Sequence, residues 1–221
     1  METKLIVFDM DGTLYYIGDL VLTNYNIATS YLVEKYNYTK EEAKKFFDEN
    51  DIYPYVTGKD KSTTQLFKTM GLNINWWDEM RNERFDPTEI TLENAISQDT
   101  IEQFMKRCPC VLLTNNTMTN VKLTLDRLNI SPDAFDKIYC ADDQGRNPTK
   151  MNTMDKIIKE YGVKPEETIS IGDRYNIDGL PMLKLGGRAI IVKRPVESFP
   201  EILKDFDNFK TSEKYEYYDR I

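Results

Sequence analysis

The fold of this 221-residue chain is decided by the stretch Leu5-Ile6-Val7-Phe8-Asp9-Met10-Asp11-Gly12-Thr13-Leu14. Its first four residues form an apolar run between polar residues, which is typical of a parallel strand covered on both faces. Asp9 and Asp11 follow that run directly, and residues two apart in an extended turn project to the same side. The stretch therefore predicts a buried strand that presents two aspartates at its carboxyl end.

Further strands of the same kind follow later in the chain, and amphipathic helical stretches lie between them. We predict strands at Lys4–Asp9, Cys110–Asn115, Lys137–Ala141, Thr168–Asp173 and Arg188–Lys193. We predict helices at Gln98–Arg107, Met118–Leu128, Met151–Tyr161 and Gly179–Leu185. Strands that alternate with helices indicate an α/β fold with a doubly wound, five-stranded parallel sheet of the Rossmann-like kind.

The interval after the first strand predicts a second domain. Roughly ninety residues separate the first strand from the second, which is too long for one crossover. Helical patterns fill that interval at Val21–Tyr36, Lys40–Asn50, Thr63–Met70 and Ile74–Glu83. We therefore predict an inserted helical domain at residues 17–88 and a discontinuous core at residues 1–16 and 89–221. The Tyr-rich tail Thr211–Ile221 is predicted to be a weakly docked extension.

The composition excludes several classes of function. The chain has no histidine, which excludes Ser-His-Asp and Cys-His nucleophile systems and HExxH zinc sites. A net charge of −8 argues against nucleic-acid binding, and apolar runs of at most four residues argue against a membrane span. The N-terminus lacks the features of a signal peptide, and three cysteines form no disulfide framework. We therefore expect a cytoplasmic protein.

Polar residues stand where three of the predicted strands end, and parallel strands bring their carboxyl ends to one edge of the sheet. These residues are Asp9, Asp11, Thr114, Asn115, Asp173 and Asp178. Clustered carboxylates repel one another unless a cation compensates. Hard oxygen ligands favour magnesium, which usually takes one or two protein carboxylates and completes its shell with water and substrate phosphate. The edge is therefore predicted to be a phosphate site with one Mg²⁺.

Three segments of the chain resemble the motifs of the haloacid dehalogenase-like (HAD) hydrolases. They are DMDGTL at residues 9–14, LLTNN at residues 112–116 and GDRYNID at residues 172–178. The similarity covers residues 1–15 and about 95–194 in the right order, and the insertion resembles the helical cap of one branch of that family. The resemblance implies a magnesium-dependent phosphomonoester hydrolase that acts on a small phosphorylated metabolite.

The resemblance also implies roles for individual residues. Asp9 is the expected nucleophile, which forms an aspartyl phosphate, and Asp11 is the expected general acid and base. Gly12, Thr13, Thr114 and Asn115 are expected to bind the phosphoryl group. Magnesium is expected on Asp9, Asp173 and the backbone carbonyl of Asp11, with Asp178 in a supporting role. Asp178 could also serve as the N-cap of the helix that follows.

The residue that balances charge is the least regular part of the resemblance. The family places a lysine, commonly as Lys-Pro, before the helix that leads into the fourth strand. Here the stretch reads Gly145-Arg146-Asn147-Pro148-Thr149-Lys150, with Lys150 two residues after the expected position and Arg146 two before it. We favour Lys150 over Arg146.

Several substrates and activities fit this sequence. Aromatic residues in or near the insertion could stack a nucleobase, as in a 5′-nucleotidase, although packing within the inserted domain is the favoured interpretation. They are Tyr15, Tyr16, Tyr53, Tyr55, Trp76 and Trp77. The alternatives are a sugar-phosphate or phosphoglycolate phosphatase, a phosphomutase, and a non-catalytic protein that binds a phosphorylated ligand. A dehalogenase is disfavoured, because carbon–halogen chemistry in the family proceeds without the second aspartate, which is present here as Asp11.

Overall fold

The computed structural model describes residues 2–50, 63–144 and 150–221. It divides the chain into two units, one formed by Met1–Ile17 with Ile90–Ile221 and the other by Gly18–Glu89. The first unit holds the sheet, whereas the described residues of the second unit are helical. The sheet is therefore assembled from two chain segments that the second unit separates in sequence.

Six strands form the sheet in the described part of the first unit. They are β1 (Leu5–Phe8), β2 (Cys110–Leu113), β3 (Lys137–Tyr139), β4 (Thr168–Gly172), β5 (Arg188–Val192) and β6 (Tyr215–Tyr218). Their order is β3-β2-β1-β4-β5-β6, and the first five are parallel to one another. The order reverses at β1, which pairs with β2 on one side and with β4 on the other. This arrangement confirms the predicted doubly wound α/β sheet.

The central strand β1 is buried on both faces, which explains why its sequence is apolar without alternation. Leu5 and Val7 belong to a buried cluster on one face that also contains Val111 of β2. On the opposite face, Phe8 meets Phe104 edge-on, with ring centroids 5.5 Å apart. Each such buried side chain contributes about 1.5–3 kcal/mol to folding. The position of β1 is therefore fixed from both sides.

The register of the central strands brings their carboxyl ends level. Phe8 pairs with Leu112 of β2 and with Ile171 of β4. The backbone N–H of Asp9 donates a hydrogen bond of 2.8 Å to the carbonyl oxygen of Ile171, so the pairing continues to the first motif residue. The residues that follow β1, β2 and β4 therefore meet at one edge of the sheet, where ligands bind in folds of this kind.

The prediction of five strands is wrong by one. β6 pairs antiparallel with β5, and it comes from the tail that we predicted to be a weakly docked extension. Tyr215 is fully buried, and its hydroxyl donates a hydrogen bond of 2.8 Å to Asp205 Oδ2. β6 reads Tyr215-Glu216-Tyr217-Tyr218 and lacks the continuous apolar run of the parallel strands, so the criterion used for those strands does not detect it. The tail is an integral edge of the sheet.

Four helices in the described part of the second unit pack around an aromatic core. They are α1 (Val21–Tyr36), α2 (Lys40–Glu49), α3 (Thr63–Thr69) and α4 (Ile74–Arg84). Trp77 is buried, and its indole N–H donates a hydrogen bond of 2.8 Å to Thr64 Oγ1. Packing is thus confirmed for Trp77, whereas Trp76 is 41% exposed. Tyr53 and Tyr55 lie outside the described residues.

The helices of the first unit connect the strands of the sheet. They are α5 (Gln98–Met105), α6 (Met118–Arg127), α7 (Ala141–Gln144), α8 (Lys150–Glu160), α9 (Leu180–Lys184) and α10 (Pro195–Lys204). Four of them lie where helical periodicity predicted a helix, with ends that differ by one or two residues, whereas α7 and α10 were not predicted. Within the described ranges of the chain, no helix is both long enough and apolar enough to cross a bilayer.

Candidate active site

Three carboxylates lie together at the carboxyl edge of the sheet. Oxygen atoms of Asp9, Asp173 and Asp178 are within 4.8 Å of one another. Asp9 follows β1, whereas Asp173 and Asp178 follow β4. Asp9 and Asp178 are only 4% and 1% exposed. Like charges at this separation and depth require positive charge nearby.

Lys150 brings positive charge into this cluster. It is the first residue of α8, and its ammonium group donates hydrogen bonds of 2.5 Å to Asp9 Oδ1 and 2.5 Å to Asp178 Oδ1. Only 4% of the residue is exposed. Arg146, the alternative from the sequence, lies outside the described residues. The structure therefore joins Lys150 directly to the expected nucleophile.

Asp178 connects Lys150 to the backbone of the loop after β4. One carboxylate oxygen accepts from Lys150, and the other accepts a hydrogen bond of 3.0 Å from the backbone N–H of Arg174. The N-cap interpretation of Asp178 is wrong, because the residue lies inside the π-helical turn Tyr175–Gly179 and α9 begins at Leu180 without a side-chain cap. Asp178 instead orients the Lys150 ammonium and the loop.

Burial and neighbouring charges change the titration of this cluster. Burial, followed by the negative charge of Asp178, raises the pKa of Asp9 to about 6, although Lys150 opposes this change. Burial, followed again by the charge of Asp178, raises the pKa of Asp173 well above its ordinary value. Burial disfavours the charged form of Lys150, but Asp178 and Asp9 outweigh it and raise the pKa of Lys150 to about 12. A further positive charge in the cluster would therefore stabilise its ionised carboxylates.

Two glycines allow the carboxylates to pack against the backbone. A Cβ atom at Gly12 would lie 2.2 Å from Asp173 Oδ2, and the backbone of Gly12 adopts a φ of +81° that disfavours other residues. A Cβ atom at Gly172 would lie 2.2 Å from the Cβ atom of Asp178. Gly12 was expected to bind the phosphoryl group, and the structure adds that it leaves room for the Asp173 carboxylate.

The residues predicted to bind phosphate follow β1 and β2 at the same edge of the sheet. Thr13 Oγ1 donates a hydrogen bond of 3.2 Å to Asp9 Oδ2. Thr114 is fully buried and accepts a hydrogen bond of 3.1 Å from the backbone N–H of Asn116. Asn115 Oδ1 is buried and has no hydrogen-bond partner among the described residues. These contacts show that the hydroxyls of Thr13 and Thr114 also order the site itself.

Asp11 is partly buried and contacts residues that the sequence analysis did not assign to the site. Its two carboxylate oxygens accept hydrogen bonds from Tyr15 Oη at 2.5 Å and from Asn116 Nδ2 at 2.6 Å. Arg174 is a third unassigned residue, and its Nε atom lies 3.6 Å from Asp173 Oδ1. The sequence signal for the contact of Asn116 with Asp11 was that Asn116 is a third polar residue after Thr114 and Asn115 at the end of the second strand.

The donor set suits magnesium. The clustered atoms are carboxylate oxygens, which Mg²⁺ prefers over the nitrogen and sulfur ligands of softer metals. Buried Asp173 Oδ1 has no hydrogen-bond donor among the described residues, and buried polar atoms are otherwise almost always paired. Asp9 and Asp173 are the side chains expected to bind the metal, and the structure brings both together with Asp178.

Comparison with known proteins gives one family. A model of the haloacid dehalogenase-like hydrolases matches residues 3–187. The pyrophosphatase PpaX of Bacillus cereus (strain AH820) is 22% identical over 179 residues, which cover 80% of this chain and 77% of that protein.

Solved structures of similar fold are related at low sequence identity. A HAD phosphatase from Thermococcus onnurineus is 19% identical with a TM-score of 0.60, over 96% of this chain and 91% of that one. The HAD-hydrolase YfnB from Bacillus subtilis, bound to magnesium, is 16% identical with a TM-score of 0.58, over 92% of this chain and 100% of that one. At these identities the structural matches support the fold alone.

Proposed function

The chain belongs to the haloacid dehalogenase-like hydrolase family, and on that premise we propose that it is a magnesium-dependent phosphomonoester hydrolase. The substrate is a small phosphorylated metabolite. The observation that carries the proposal is the buried pair of Asp9 and Lys150. Asp9 of this pair lies close to Asp173 and stands two residues before Asp11 in the sequence. A nucleophile, a charge-balancing cation and an acid–base residue are the groups that two-step phosphoryl transfer needs.

In the first step, a carboxylate oxygen of Asp9 forms a bond to phosphorus while the bond from phosphorus to the leaving oxygen breaks. Asp11 gives its proton to that leaving oxygen. The products are an alcohol, an acyl phosphate on Asp9 and the carboxylate of Asp11. Lys150 offsets negative charge at Asp9 and at the phosphoryl oxygens throughout this step.

In the second step, Asp11 takes a proton from a water molecule whose oxygen attacks phosphorus. The bond between phosphorus and Asp9 breaks, so inorganic phosphate leaves and both carboxyl groups return to their starting states. The hydroxyl of Thr13 holds the second oxygen of Asp9 in both steps. Splitting the hydrolysis in this way replaces one difficult displacement by two easier ones.

Asp9, Asp173 and the backbone carbonyl of Asp11 are the groups that would hold magnesium. When bound, the ion neutralises charge on the phosphoryl oxygens in the transition state. The proposal is supported by Asp173 Oδ1, which accepts no hydrogen bond from the described residues. It is also consistent with the magnesium bound to YfnB, which is similar to this chain in fold.

The inserted segment at residues 17–88 is assigned the role of a cap that excludes water during transfer, by analogy with the family. Its aromatic core supports an independent unit. Because Trp77 packs in that core, fewer aromatic residues of the insertion are available to stack a nucleobase than the sequence suggested.

Cys108, Cys110 and Cys140 are buried and form no disulfide bond with one another, which supports a reducing, cytoplasmic setting.

Inorganic pyrophosphate is a second candidate substrate. The curated relatives matched across most of this chain are pyrophosphatases, at 22% identity. A phosphoric anhydride has the same transferable phosphoryl group as a monoester, but its leaving group is phosphate and depends less on protonation by Asp11. Sugar phosphates, phosphoglycolate and nucleoside monophosphates are the competing monoesters.

The test is a phosphate-release screen of these monoesters and pyrophosphate with magnesium and with a chelator. We expect magnesium-dependent release from at least one monoester and none from the Asp9→Asn variant. Release from pyrophosphate alone would replace the monoesterase by a pyrophosphatase. Full release after rigorous metal removal would contradict the magnesium requirement, and binding without release would indicate a non-catalytic protein.

A further inference from the structure

The Asp11 carboxylate is held from two sides by residues that the proposed mechanism does not use. Tyr15 Oη donates a hydrogen bond of 2.5 Å to Asp11 Oδ1, and Asn116 Nδ2 donates one of 2.6 Å to Asp11 Oδ2. The donors come from two segments that lie far apart in the sequence. Each oxygen thus has its own donor, and together the two contacts fix the plane of the carboxylate.

The position of Tyr15 is fixed by its surroundings. The side chain is fully buried. The residues on both sides of it pair with the segment that returns from the insertion, through hydrogen bonds from Tyr16 N to Asn94 O at 3.0 Å and from Ile96 N to Leu14 O at 2.9 Å. The tyrosine hydroxyl therefore reaches Asp11 from a rigid base.

The position of Asn116 is fixed as well. The residue is 5% exposed, its backbone N–H donates to Thr114 Oγ1 at 3.1 Å, and its carbonyl oxygen accepts from the backbone N–H of Ala141 at 2.8 Å. A side-chain amide N–H can only donate, whereas a phenol can donate or accept. The contact with Asn116 therefore requires that Asp11 Oδ2 accept a hydrogen bond. The contact of Tyr15 with Asp11 Oδ1 can form whether or not Oδ1 carries a proton.

A general acid must lie within hydrogen-bond reach of the leaving oxygen, and a free aspartate side chain has two torsions that can carry it away. We propose that Tyr15 and Asn116 are positioning residues that hold the Asp11 carboxylate in the orientation for proton transfer. This inference rests on the proposed function, because it concerns the acid–base step of that reaction. The expected consequence is a rate loss that depends on how much the leaving group needs a proton.

The leaving group gives a readout that a merely structural role would not change. A dinitrophenolate leaves without a proton, whereas an alkoxide requires one. Tyr15→Phe should therefore lower the single-turnover rate of phosphoryl transfer from an alkyl phosphate about tenfold, a part of the 10²–10⁴ that general acid catalysis supplies. The rate for dinitrophenyl phosphate should change little, and KM for both substrates should stay near its wild-type value.

The experiment compares Tyr15→Phe and Asn116→Leu with a matched control, Tyr139→Phe, on a series of aryl and alkyl phosphates. Tyr139 is also buried and its hydroxyl also donates to a carboxylate, Glu160 at 2.8 Å, but it lies on β3 and plays no part in the proposed reaction. The control should lose stability without any dependence on the leaving group. In an Asp11→Asn background, Tyr15→Phe should cause no additional loss.

The outcomes separate the inference from the function on which it rests. Absence of turnover in the wild-type protein, or full turnover in the Asp11→Asn variant, would overturn both. If the wild-type enzyme is active and depends on Asp11, but Tyr15→Phe changes all leaving groups equally, the positioning role alone is wrong. The conservative Tyr15→Phe change keeps the test valid if Asn116→Leu does not fold.

Discussion

Replacing Lys150 by Met removes the ammonium group that lies 2.5 Å from both Asp9 and Asp178 and keeps the length of the side chain. The two buried carboxylates then lose the ammonium group that donates a hydrogen bond to each of them. Removing one partner of a buried ion pair costs about 3–5 kcal/mol in free energy of unfolding. The change also removes charge that offsets the substrate phosphate, so turnover should fall roughly a hundredfold or more, comparable to the loss of one preorganised donor.

The stability loss should depend on pH in the metal-free protein. Burial already raises the pKa of Asp9 to about 6, and loss of Lys150 removes a group that lowers it. A carboxyl whose pKa is higher in the folded state favours folding most at low pH, and this contribution is lost as the pH rises through the folded-state pKa. The deficit of the variant should therefore be smallest near pH 4 and should grow as the pH rises above 6, because the pKa of Asp9 in the variant lies above its wild-type value.

The assay combines urea unfolding with chelator over this pH range and hydrolysis of an aryl phosphate with magnesium. The matched control is Lys159→Met on the same helix, where the ammonium group lies 2.6 Å from Asp155 in an exposed pair. That pair should be worth less than about 1 kcal/mol and should not affect turnover. Adding Asp178→Asn to the Lys150 variant should restore part of the stability and none of the turnover.

The reasoning is refuted if the Lys150 variant folds and keeps turnover close to that of the wild type. It is also refuted if that variant loses no more stability than the Lys159 variant. In the first case the charge-balancing group lies elsewhere in the chain. In the second case, the buried ammonium group of Lys150 contributes no more to the free energy of unfolding than the exposed one of Lys159.

Three further changes test neighbouring parts of the structure. Asp9→Asn should abolish phosphate release while metal-free stability at pH 7 stays level or rises, because the buried carboxyl has its pKa raised to about 6; retained release would identify another nucleophile. Gly12→Ala should weaken magnesium binding by calorimetry, because its Cβ atom would lie 2.2 Å from Asp173 Oδ2, whereas Gly162→Ala, at positive φ in open space, should leave binding unchanged. Tyr215→Ala should lower the free energy of unfolding by about 3–5 kcal/mol without changing kcat, and a loss below about 1 kcal/mol would mean that β6 contributes little.

The sequence predicted the location of the site because its residues are tied to strand ends. Each motif follows a short apolar run directly, and parallel pairing brings such ends to one edge whatever the intervening sequence is. Asp9 and Asp173 are brought together in this way, since each follows a strand of the parallel sheet. Their separation and burial depend on the glycine at position 12, whose motif was recognised but whose contact with Asp173 was not.

The contacts of Asp11 and the sixth strand could not be predicted from the sequence. In the sequence Tyr15 is notable only as an aromatic residue beside the insertion, and no pattern there indicates that its hydroxyl reaches Asp11. Asn116 reaches the same carboxylate from a distant segment, and periodicity carries no information about such pairs. Lys150 and Arg146 lie equally far from the expected position in the sequence, and the two ion pairs of Lys150 depend on where α8 begins.

The interrupted sheet has a consequence for how the chain folds during synthesis. Ile6 of β1 pairs with Cys110 and with Ile169, so β1 leaves the ribosome long before either neighbouring strand exists. Until then its apolar side chains have no partner strand, and topologies dominated by such distant pairs fold slowly. The helices of Gly18–Glu89 emerge in between and depend on local contacts. If they fold first, the loop that must close between β1 and β2 shortens, which lowers its entropic cost by about 1 kcal/mol. Folding of the inserted unit would then favour the pairing of β1 with β2, although β1 belongs to the other unit.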